Sequence, residues 1–129
     1  MLRYVALVWD PVDPSTQDQI RTLSEAFSRG DAWTRAYQTQ GLLVYTLRKP
    51  GPVVREYGLP DGRGIVLGRL FEQGTHSASA GDAVIDSNSA SRYVASGGAE
   101  LVKDYWGGYV AFLVDATNCR LYGDRKSVV

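Results

Sequence analysis

The chain has 129 residues, with 14 basic against 14 acidic side chains and no net charge when its single histidine is neutral. That length makes one domain with room for a core. Balanced charge gives no field that would draw the protein to nucleic acid or to an anionic membrane, and the basic residues form no cluster. Cys119 is the only cysteine, which excludes a disulfide framework and a cysteine-rich metal site and fits a reducing cytoplasm.

Residues 3–9 are rich in valine, leucine and aromatics and predict a buried strand that starts a sheet. This run is too short to cross a bilayer and lacks a small-residue cleavage site, so it reads as a strand and not as a signal peptide. Pro11 and Pro14 stop it. Ser15 or Thr16 is placed to cap a helix in which Ile20, Leu23 and Phe27 share one face, with Gly30 as its end. Residues 32–40 fit a strand or a loop. Residues 41–47 predict a strand, 49–52 a turn, 53–57 a short strand and 59–64 a loop. Residues 65–71 read as a buried strand interrupted by Gly68, and such a glycine marks a bulge or a close approach of backbone or ligand.

Residues 73–86 are small and polar, a surface loop. Ser87-Asn88-Ser89 starts a short helix that Gly97-Gly98 stops, and residues 99–105 form a second one with Leu101 and Tyr105 as its apolar face. Residues 108–114 are almost wholly apolar. A turn at Ala116-Thr117-Asn118 leads into a strand-like run from Arg120, so the two runs form a β-hairpin. The first lacks polar alternation and belongs in the middle of a sheet covered on both faces. This order of elements is α+β.

The hairpin also carries a resemblance. Trp106-Gly107-Gly108-Tyr109-Val110-Ala111-Phe112-Leu113-Val114-Asp115, followed by Tyr122-Gly123-Asp124-Arg125, resembles the glutaminase-type N-terminal domain of asparagine synthetases, a class II glutamine amidotransferase domain. There, a helix ending in glycine leads to an apolar strand closed by aspartate, and an arginine–aspartate element follows the hairpin. The resemblance covers about a quarter of the chain well. The fold it implies is that of the N-terminal-nucleophile hydrolases, a layered αββα sandwich of antiparallel sheets, here incomplete at its C-terminal end.

In that family a cysteine directly after the initiator methionine is the nucleophile, with its own amino group as base. Here the position is Leu2, and a leucine cannot attack an amide. The family's oxyanion turn, asparagine–glycine–glutamate, is matched by Leu67-Gly68-Arg69, which keeps only the glycine. Two glutamine-holding segments are echoed by Arg29-Gly30-Asp31 and by Asp86 in Ile85-Asp86-Ser87-Asn88. The resemblance therefore implies a degenerate pocket (Leu67, Gly68, Arg69, Arg29, Asp86) with no catalytic residue and no metal.

Members without the cysteine resemble β-lactam synthetases and lasso-peptide cyclases, in which the domain is a scaffold beside an ATP-dependent amide-forming domain. The expectation is a non-catalytic domain spanning residues 1–129, the N-terminal part of a longer chain. Its partner is a synthetase domain in cis or trans, and ATP and magnesium belong only to that domain. A sheet edge left open where the next strand would follow favours self-association. The alternative is a free-standing interaction module that docks a partner through the open edge or the 73–86 loop. A third reading, an amidohydrolase with another nucleophile, has no residue pattern behind it. His76 reads as a solvated loop residue, Cys119 as a small strand-flanking side chain, and Trp9, Trp33 and Trp106 as packing. Gly62-Arg63-Gly64 precedes a strand, where a phosphate loop would precede a helix.

Overall fold

The structure, a computed structural model, describes residues 3–47, 55–72, 85–115 and 120–126, with Glu72 and residues 120–126 as backbone alone. Leu2, the 49–52 turn, the 73–84 part of the predicted loop, His76, the 116–118 turn and Cys119 lie outside the described residues. The chain is a mixed α+β protein that divides into two compact units, Met1–Pro52 and Val53–Val129.

The first unit is a helix on a three-stranded antiparallel sheet. Its elements are β1 (Tyr4–Val8), α1 (Pro14–Ser28), β2 (Trp33–Thr39) and β3 (Leu42–Leu47), with strand order β1-β3-β2. Residues 32–40, open between strand and loop in the sequence, become β2 because they find a partner in β3, with a register shift between Arg35 and Tyr37. The helix lies on the sheet face that presents Tyr45. Phe27 stacks on the Tyr45 ring at 5.1 Å and meets Trp33 edge-on at 5.5 Å, and Ser24 Oγ lies 3.1 Å from the Tyr45 hydroxyl. Such aromatic pairs add about 0.5–1.5 kcal/mol each beyond their buried area.

Two local expectations are corrected here. The first strand is half-buried, with Tyr4 36% and Val8 57% exposed, because among the described residues β1 lies at the edge of its sheet and apolar composition does not separate edge from centre. The cap of α1 is Asp13, whose side chain accepts from the Ser15 amide at 3.0 Å. Pro14 occupies the first helical position, so the cap must precede it. The helix closes on Arg29 in right-handed geometry (φ −72°), and Gly30, the glycine expected to end it, follows directly.

The second unit contains β4 (Arg55–Leu59), a 3-10 turn (Pro60–Gly62), β5 (Gly64–Gly68), β6 (Phe71–Glu72), α2 (Ser87–Ala95), α3 (Ala99–Asp104), β7 (Tyr105–Trp106), β8 (Tyr109–Asp115) and β9 (Arg120–Lys126). A four-stranded antiparallel sheet runs β4-β5-β8-β9, and β6 pairs with β7 in a separate ribbon. The hairpin forms as the sequence predicts, with Tyr109 opposite Lys126 and Asp115 opposite Arg120.

β8 is interior to its sheet, and Tyr109–Leu113 are all buried. Alternation divides their side chains between the two sheet faces. One face joins Tyr57, Leu59, Val66, Tyr109, Ala111 and Leu113 with Ala90, Tyr93 and Val94 of α2 and Leu101 of α3 in a single core. The opposite face carries Ile65, Leu67, Val110 and Phe112, which are also buried.

Candidate functional site

The residues singled out by sequence converge in part at the end of β5. Leu67 is the penultimate residue of the strand and is 0% exposed. Gly68 follows with φ +125°, in the left-handed region. A Cβ there would collide with the Gly108 carbonyl and the Tyr109 backbone. The Arg69 amide donates to that same Gly108 carbonyl at 3.0 Å. Gly107 (φ +129°) in turn presses its backbone on the Arg69 carbonyl, leaving no room for a side chain. The β5 end and the β8 start are therefore locked backbone to backbone, as the glycine inside the predicted strand signalled. The Arg69 side chain is exposed at this junction.

Glu56 was not anticipated. It stands opposite Leu67 in the β4–β5 register, and partial desolvation raises its carboxyl above the usual range. A lone acid in a short strand gives no sequence signal; its meaning comes from the register.

Asp86 is the N-cap of α2. Its Oδ1 accepts from the Ser89 amide at 2.7 Å, and hydrogen bonds from the Ser89 amide and hydroxyl, led by the amide, hold its carboxyl below the ordinary value. At least one of its oxygens is thus committed to the helix. Arg29 is an exposed residue of the first unit, at the end of α1.

Beyond α2 a polar network ties the two short helices. Tyr93 is 2% exposed, and its hydroxyl donates to Asp104 Oδ2 at 2.8 Å. Desolvation, then the Asp104 hydrogen bond, raises this phenol well above its ordinary pKa and keeps it protonated. The Arg92 guanidinium reaches Asp104 at 3.3 Å and Glu100 at 3.4 Å. The network spans the Gly97-Gly98 break, so no periodicity in the sequence reveals it. Its phenol is protonated and its carboxylates are paired with a cation, an arrangement that braces α2 against α3. Among the described residues no three metal-ligating side chains gather, and no helix is long and apolar enough to cross a membrane.

Compared with protein-family models, with curated proteins and with solved structures, the chain matches none.

Proposed function

We propose that the chain is a degenerate glutamine-amidotransferase-like domain of an asparagine-synthetase-related enzyme. It serves as a non-catalytic scaffold for an ATP-dependent amide-forming domain. The observation that carries this reading is the junction at Gly68. The one residue retained from the family's oxyanion turn sits at a left-handed φ, jammed against Gly108, which belongs to the segment carrying the resemblance. On one side of it, where that turn needs a hydrogen-bond donor, stands a fully buried leucine. On the other side an exposed arginine replaces the acid. An aliphatic side chain stabilises no oxyanion, so the glycine is kept for packing while the chemistry is gone.

Two further features support it. Each unit is a sheet with helix on one face, the half from which a layered αββα sandwich is assembled. The hairpin, β8 then β9, places the Asp115 and Asp124-Arg125 positions of the resemblance at strand end and within a strand.

The scaffold role is tested in the gene: an in-frame ATP-binding synthetase domain after Val129, or a co-purifying synthetase subunit, supports it. Neither being found in the source genome counts against it. The loss of function is tested by calorimetric titration with glutamine, for which no binding heat is expected.

A further inference from the structure

The short connection between β4 and β5 has the dihedrals of a type I′ hairpin turn. Both central residues have positive φ, +61° (ψ +29°) at Asp61 and +66° at Gly62. The Arg63 amide closes the turn on the Pro60 carbonyl at 3.3 Å. Leu59 and Gly64 pair across its base, and the Arg63 carbonyl accepts from the Val114 amide at 2.7 Å. Asp61 and Gly62 are both exposed and form the chain's one Asp-Gly pair. Among the described residues no hydrogen bond or ion pair holds the Asp61 carboxylate.

We infer that Asp61 is a modification site, where the Gly62 nitrogen closes on the Asp61 side chain and leaves isoaspartate. The nitrogen bonds to Cγ and gives up its proton, and the protonated carboxyl releases its hydroxyl with that proton as water. Water then opens the succinimide at either carbonyl. Opening at Cγ returns aspartate, and opening at the main-chain carbon leaves the chain running through the side chain. The turn already suits the ring. Closure carries ψ of Asp61 to about −120°, and with φ kept near +60° this is the first central position of a type II′ turn. Types I′ and II′ both close a two-residue hairpin, so the Asp61–Gly62 peptide plane rotates while the strands stay paired. Gly62 then passes from positive to negative φ, which a glycine does freely, and a Cβ there would meet nothing within 4 Å, so the space is open. Other aspartates lack this combination. Asp10 and Asp13 precede prolines, which have no N–H to attack. Asp18 pairs with Arg21, Asp86 caps α2, and Asp104 holds Tyr93 and Arg92.

The test incubates the full chain in heavy-oxygen water at a mildly acidic pH where circular dichroism shows the native fold. A second sample is held at the same pH in guanidinium chloride. Both are digested and mapped by mass spectrometry. The peptide containing Asp61 is expected to lose water, then to regain it with heavy oxygen. It then accepts a methyl group from S-adenosylmethionine through an isoaspartate-specific methyltransferase. The folded chain is expected to convert at least as fast as the unfolded one, because the fold holds the required φ. Asp61→Gly keeps the positive φ accessible and removes the carboxyl, and is expected to abolish all these signals in that peptide. A folded chain that converts more slowly than the unfolded one, that leaves Asp61 unchanged, or in which Asp18, Asp86 or Asp104 converts first overturns the inference.

Discussion

Gly68 packs its backbone against the carbonyl of Gly108 so closely that no Cβ fits between them, while the next amide, that of Arg69, donates to the same oxygen at 3.0 Å. This pair fixes the corner where β5 ends and β8 begins.

Gly68→Ala is expected to destabilise the protein by about 2–5 kcal/mol, combining backbone strain at positive φ with overpacking. Urea denaturation of parent and variant measures it. A change below about 1 kcal/mol would mean the corner is loose.

Restoring the missing donor is also expected to fail. Leu67→Asn loses a fully buried aliphatic side chain and buries an amide, for about 3 kcal/mol of lost stability, with no glutamate released from glutamine. A variant as stable as the parent would show that the site has room and hydrogen-bond partners for an amide.

Glu56 governs part of the fall in stability as pH rises from acid. Desolvation raises its folded pKa above the ordinary 4.5. Its favourable contribution is therefore complete below that value and is lost as pH rises through the folded pKa. Glu56→Gln is expected to raise the melting temperature at neutral pH and to change little in acid. An equal shift at both pH values contradicts this.

Asp13 and Asp86 act in the opposite sense. Both caps hold their carboxyls below the ordinary 3.8, Asp13 through the Ser15 hydroxyl and then the Ser15 amide, Asp86 through the Ser89 amide. Their contribution is present above that value and disappears as pH falls through the folded pKa. Asp86→Ala should lower the melting temperature at neutral pH and converge with the parent in strong acid. Helical signal from hydrogen exchange in α2 tracks the same loss.

Tyr93→Phe removes one hydrogen bond but leaves Asp104 with Arg92. A cost of about 0.5–1.5 kcal/mol is expected, with faster amide exchange in α3. No change would mean that the Tyr93–Asp104 hydrogen bond adds nothing to the Arg92 pairing and the apolar contact between the helices.

The hairpin was legible because β8 has no polar face, and only a strand with neighbours on both sides reads that way. The Gly68 junction was legible because a glycine in an apolar strand needs a reason. What escaped were properties set by neighbours distant in sequence. β1 has the composition of a central strand and sits at an edge. Residues 32–40 are a strand only because β3 lies beside them. Glu56 matters because the register puts it opposite Leu67, and Tyr93 meets Asp104 across two glycines that interrupt helical periodicity. Of the proposed pocket, Leu67, Gly68 and Arg69 share one corner and Asp86 caps α2 within the same unit. Arg29 belongs to the other unit, and Leu2 lies outside the described residues.

The central claim is that the Gly68 corner keeps its glycine for packing and has lost the donor that would hold an oxyanion. Calorimetric titration of the full chain with glutamine, with glutamate release followed in the same sample, tests it most directly. The account predicts no binding heat and no glutamate. Saturable binding, or glutamate released in proportion to the protein, would contradict it.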